Sequence, residues 1–235
     1  MSQQAGHDPA DTTPALIDEA GRKLRAPWAA AVAGLLFASF FTVSLLLLRS
    51  QSLIGASDDE LVRIFASGGD LPGVIGGLYL APFAGIMFLW FVAVIRDQVG
   101  DREDRFFATV FLGSGLIFVA TLFAAAAVAS APLVGPRYLG LPPPTAAAVD
   151  GARILSYTLL FAFATRAAAV FLLVTATLGL RSGTFPRWFT WTGYLLGVVL
   201  LVAVAVLDWV VLVLPAWVAV VSLFILRRER ARRSA

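Results

Sequence analysis

The chain has 235 residues, of which 59% are hydrophobic and 14% charged, and its mean hydropathy is +0.85. Soluble domains carry roughly 25% charged residues, so this composition excludes an ordinary soluble globule and points to a polytopic membrane protein. The lack of cysteine excludes disulfides, thiolate nucleophiles and cysteine metal sites, the only histidine is His7, and a net charge of +3 calls for no nucleic acid.

Residues 1–26 are polar, and Thr13 with Pro14 forms a start signal for a short helix. The rest of this cytoplasmic tail is expected to be largely disordered. Arg22, Lys23 and Arg25 then precede the apolar run 27–48. That run is longer than the apolar core of a signal peptide, so it reads as a first span that stays in the mature chain.

In the loop 49–72, Ser57-Asp58-Asp59-Glu60 is a capping box, followed by the apolar stripe Leu61, Ile64 and Phe65 and then Gly68-Gly69. A short interfacial helix on the extracytoplasmic side is expected here. The second span covers 73–95, with Gly73, Gly77, Ala81 and Gly85 on one small-residue stripe. Pro82 has no N–H to give to the carbonyl of Leu78. Residues 96–105 interleave four acids with three arginines, the pattern of a salt-bridged surface loop.

The third span is 106–130, with Gly113-Ser114-Gly115 and the run Ala124 to Ala127 as small contact residues. Residues 131–150 contain Pro142-Pro143-Pro144 and read as a semi-rigid loop, with Asp150 placed to cap the fourth helix. The fourth span is 153–180 and the fifth 188–207, which carries Gly193 and Gly197. Asp208-Trp209 marks a turn, the sixth span is 209–226 with Pro215 in its outer half, and 227–235 is a basic cytoplasmic tail. The expected fold is all-α, a bundle of six spans over 27–226 with one short outer helix.

Basic residues set the orientation. Segments 22–25, 96–105, 181–187 and 227–233 hold 13 of the 18, against 4 on the opposite side: Arg49, Arg63, Arg137 and Arg153. Both termini are therefore expected in the cytoplasm, with the chain in the cell (inner) membrane.

The remaining basic residue, Arg166, falls near the middle of the fourth apolar run. An arginine at that depth costs at least about 3 kcal/mol. Thr158, Ala162, Ala169, Leu173 and Thr177 share its helical face, and such small and hydroxyl residues mark a side that packs on other helices. Two readings stand. In one, Arg166 contacts an anion or substrate, with the Leu78 carbonyl, Thr158 and Thr177 as neighbours. In the other, it is structural and bonds to backbone carbonyls and hydroxyls of the bundle.

Two stretches carry a family resemblance. One runs from Pro82-Phe83-Ala84-Gly85 through Arg96-Asp97 to Gly113-Ser114-Gly115; the other runs from Ala164-Thr165-Arg166 through Thr175 and Thr177 to Pro186-Arg187-Trp188. Together they resemble a group of uncharacterised bacterial six-span integral membrane proteins. The resemblance covers most of the membrane region and implies no activity.

The predicted spans hold no Asp, Glu, His, Cys or Lys, so nothing in them serves as a general base or activates a hydroxyl. The chain is therefore expected to be no enzyme, with no metal and no cofactor. Missing carboxylates also argue against proton or sodium coupling. The leading expectation is a non-catalytic membrane component: a subunit, scaffold or sensor. The alternative is a transporter or binding protein for a small anion or lipid headgroup at Arg166. A membrane enzyme acting through surface groups comes last. Expected partners are the lipid bilayer and, through the faces Gly73, Gly77, Ala81, Gly85 and Gly193, Gly197, a second copy or another membrane protein.

Overall fold

Apolar runs longer than a bilayer is thick satisfy their backbone groups as helices, and the computed structural model is built of helices accordingly. It describes residues 27–50, 55–67, 73, 75–99, 105–182, 187–202 and 209–233. Among the described residues, seven helices follow in order. They are α1 (Pro27–Arg49), α2 (Asp58–Ala66) and α3 (π turns Ile75–Leu80 running into Ala81–Val99). Next come α4 (Arg105–Tyr138) and α5 (Ala146–Thr158, π turns Leu159–Ala164, then Thr165–Ser182). Last are α6 (Arg187–Val202) and α7 (a 3₁₀ turn Val210–Leu212 leading into Val213–Arg233).

Five of these, α1, α3, α4, α5 and α7, are long and apolar enough to cross a bilayer. The expected fifth span, 188–207, corresponds to α6, which is described for 16 residues. At 1.5 Å per residue that is about 24 Å, short of a hydrocarbon core of about 30 Å. The six-span expectation thus rests on five long helices and one shorter apolar one.

α1 packs on α3 and α7, α3 on α4, α4 on α5, and α5 on α6. The circuit closes where Phe189 of α6 stacks on Trp217 of α7, ring centroids 5.4 Å apart. Phenylalanines fill the centre. Phe88 of α3 meets Phe37 of α1 at 4.8 Å, Phe118 of α4 at 5.1 Å and Phe171 of α5 at 5.0 Å. All four are buried. Offset and tilted ring pairs of this kind stabilise by about 0.5–1.5 kcal/mol each beyond their burial.

The small-residue faces are spent inside the chain. Gly77 lies against Ser130, Gly85 against the Phe123 ring, and Ala81 is buried. A Cβ on Gly193 would meet Ala176 at 3.1 Å, and one on Gly197 would meet Leu173 at 2.8 Å. These faces close α3 on α4 and α6 on α5, so the helix-helix contact expected of them is made within one molecule.

Several boundaries differ from the sequence reading. α4 runs on through Pro132 and Pro136 to Tyr138, beyond the expected end at 130. The fourth span's helix begins at Ala146, not 153, and its N-cap is Thr145, whose hydroxyl accepts from the N–H of Ala148, so Asp150 lies inside the helix. The carboxylate of Asp58 accepts from the N–H of Ala146 at 2.6 Å, a partner 88 residues away that no local pattern reveals. The basic stretch expected as a tail continues α7 to Arg233.

The short helix expected after the first span forms where the capping box placed it. Ser57 accepts from the N–H of Glu60, and the Glu60 carboxylate accepts from the N–H of Ser57 at 2.8 Å. Rather than only lying on a surface, α2 is docked: Leu61 is fully buried against Leu133 and Val149. Residues 96–99, expected in the acidic loop, continue α3 to Val99, while the Gly68-Gly69 stop, residues 1–26, residues 100–104 of the acidic loop and Asp208 lie outside the described residues.

Candidate functional site

Arg166 stands two residues past the π turns of α5. In those turns the hydrogen-bond ladder slips by one residue, and Thr165 gives both its N–H and its hydroxyl to the carbonyl of Leu160. Such widened turns occur often at functional positions. The Arg166 side chain turns back along its own helix, and Nη1 donates to the carbonyl of Ala162 at 2.6 Å. A guanidinium has five N–H donors, and this bond uses one of them.

Arg166 is half-buried, not enclosed at the bundle's centre. It lines a groove between α4 and α5 together with Gly113, Ser114, Thr121, Ala167 and, from α6, Leu201. The groove opens on the outside of the bundle, where Ile117 and Phe163 are each 59% exposed. A Cβ on Gly113 would meet nothing within 4 Å. Ser114 and Thr121 are hydroxyl residues that line the same groove as Arg166, which the sequence did not reveal. Periodicity along α5 alone finds only same-helix neighbours, and these two come from α4.

The other expected site residues go elsewhere. Leu78 packs under α2 beside the Leu61, Leu133 and Val149 cluster, so its carbonyl is not the acceptor that Arg166 uses. Thr158 is exposed, and its hydroxyl donates to the carbonyl of Ile154 at 2.9 Å. Thr177 donates to the carbonyl of Leu173 and shares a 2.8 Å hydrogen bond with the Tyr194 hydroxyl, tying α5 to α6. The reason is geometric: the face shared by Ala169, Leu173 and Thr177 packs on α6, while Arg166 sits at the edge of that face.

A second opening lies at the end of the bundle where α1 finishes and α5 begins. It is a cavity of about 520 Å³ with Arg49, Arg153, Ser156 and Tyr157 among its lining residues and Phe41 and Phe161 below them. Arg49 lies 4.9 Å from the Trp209 ring and 6.0 Å from that of Phe161, in cation–π geometry. In sequence both arginines register only as charges on the expected outer side, and nothing local joins residues more than a hundred positions apart.

The helices and their composition define a polytopic helical integral membrane protein. No protein-family model, no curated protein and no solved structure matches the chain. The resemblance to a six-span group therefore rests on its sequence motifs alone.

Proposed function

We propose that this chain is a six-span, non-catalytic subunit of a membrane complex, with both termini cytoplasmic. The groove at Arg166 receives a transmembrane helix of another protein, one that carries a carboxylate. The observation behind this is Arg166 itself: a guanidinium in the middle of an apolar span, with one bond to its own helix, in a groove open to the outside.

Charge complementarity selects the occupant. An intramembrane arginine at least about 3 kcal/mol out of favour is offset by an ion pair with good hydrogen bonds. The apolar cores of all six expected spans contain no Asp or Glu, so a second copy cannot supply the carboxylate there. Gly113 and Ala167 let a helix backbone approach closely. The groove is lined from Val110 to Ala124 on α4, about 21 Å at helical rise, which suits a crossing helix.

The non-catalytic part has its own support. Several hydroxyls within the spans close on carbonyls of the bundle, Ser114 on Phe111, Thr121 on Ile117, Thr175 on Phe171 and Ser44 on Gly76, while Ser130, Thr190 and Ser222 are buried in the bundle without a hydrogen-bond partner. A hydroxyl held in this way, without a base beside it, is a poor nucleophile. The sixth span is supported by the sequence, which stays apolar from Val202 to Leu207.

Photo-crosslinking in native membranes tests the subunit reading. A crosslinker at Ala120 or Ala124 is expected to give one discrete adduct with a membrane protein bearing an intramembrane Asp or Glu, and Arg166→Leu is expected to abolish it. The same crosslinker at Leu195 or Val199, exposed on α6, is the control. Equal adducts from both faces, or an adduct indifferent to Arg166→Leu, would overturn the assignment. The isolated Arg166→Leu chain is expected to unfold at the same or a higher temperature than wild type, because the single bond lost is within one helix.

A further inference from the structure

The cavity at the Arg49 end suits a ligand that the groove does not. Its walls are apolar: Phe41, Leu45 and Leu48 from α1, Leu122 from α4, and Leu160 and Phe161 from α5. Its rim is cationic, with Arg153 exposed and Arg49 half-buried. Ala125, Ala126 and Ala129 form the α4 wall, where short side chains leave the space open.

The dimensions narrow the occupant. The walls run from Phe41 to Arg49 on α1, from Leu122 to Pro132 on α4 and from Val149 to Phe161 on α5, about 12–18 Å at helical rise. A bilayer's hydrocarbon core is about 30 Å thick, so one leaflet is about 15 Å deep. The cavity is thus about as deep as a leaflet, greasy below and positive at the level where lipid phosphates sit. Its volume lies within the ordinary range for small-molecule sites, roughly 300–1,000 Å³.

The rim charges also stand on the side that the arginine count disfavours. Four basic residues lie on that side, and two of them line this one cavity. Topology alone does not ask for them there. Both π segments adjoin the cavity: Leu160 and Phe161 belong to one, and Ser44, in the wall, donates to the Gly76 carbonyl of the other at 2.7 Å.

We propose that this cavity binds one anionic phospholipid from the adjoining leaflet, its phosphate between Arg49 and Arg153 and an acyl chain along the Phe41, Leu122 and Phe161 walls. Guanidinium groups bond the phosphate of either lipid, and the net negative charge of a headgroup without a choline cation beside the two arginines sets the preference for an anionic over a zwitterionic lipid. The site shares no residue with the Arg166 groove, so either assignment can fail alone.

Native mass spectrometry of the full chain released from nanodiscs of equal phosphatidylglycerol and phosphatidylcholine tests the proposal. Wild type is expected to retain one phosphatidylglycerol, and Arg153→Gln to lower retention about tenfold. Arg63→Gln and Arg137→Gln, the other two basic residues of that side, are expected to change nothing. Because Arg49 also packs on Trp209, Arg49→Gln is read only where its unfolding midpoint matches wild type. Ala129→Phe fills the cavity without touching charge and is expected to expel the lipid. Millimolar inorganic phosphate is expected to leave it bound. Equal retention of phosphatidylcholine, displacement by phosphate alone, retention by Arg153→Gln and Ala129→Phe, or an equal loss in the Arg63 and Arg137 controls would each overturn it.

Discussion

Glu60 is a residue whose role a short motif foretells. Its carboxylate accepts from the backbone N–H and the hydroxyl of Ser57, and these bonds hold its pKa below the ordinary carboxylate value. A depressed pKa contributes stability above the unfolded value, about 4.3, and that contribution fades as pH falls through the lower, folded value. Glu60→Gln is therefore expected to have a slightly lower unfolding midpoint than wild type at neutral pH, and the two curves to converge below about pH 4. A gap constant with pH would show that the carboxylate is not the stabilising form. Arg166 is the opposite case. That it is anomalous was legible from one letter in an apolar run, but its acceptor was not. The bond goes to Ala162, a residue of π turns that nothing in Leu159–Ala164 announces.

At the scale of elements, close packing separates two glycines that look alike in sequence. A Cβ on Gly197 would lie 2.8 Å from Leu173 and 3.2 Å from the carbonyl of Ala169, where backbone cannot yield. Gly197→Val is expected to destabilise by about 1–3 kcal/mol through overpacking, visible as a lower unfolding midpoint. Gly113→Ala, facing the open groove, is expected to leave the midpoint of the isolated chain unchanged. Equal effects would mean that the groove is closed by this chain itself. The small-residue pattern was visible in advance in both helices. Which stripe meets a helix of the same molecule was not, since that depends on the order in which six helices surround the phenylalanine core. Helix ends divided similarly: Ser57 with Glu60 is a local signal, whereas the start of α5 at Ala146 also draws on Asp58, brought there by the docking of α2.

For the whole molecule, the absence of cysteine makes topology directly measurable. Single cysteines at Ser57 and Thr145 are expected to react with a membrane-impermeant maleimide from outside intact cells, and one at Ser234 only after permeabilisation. Labelling of Ser234→Cys from outside would reduce the spans to five. By itself the sequence determined the class of protein, the helical runs, the asymmetry of arginines and the presence of one charge where lipid disfavours it. These follow from composition and from periodicity along one chain, since a bilayer forces long apolar runs into helices whatever their neighbours are. Tertiary structure alone decided that Leu78, Thr158 and Thr177 stand apart from Arg166, that Ser114 and Thr121 stand beside its groove, and that Arg49 and Arg153 share one cavity. Those are relations between helices, set by side-chain packing across a closed bundle, and residues far apart in sequence carry no local sign of them.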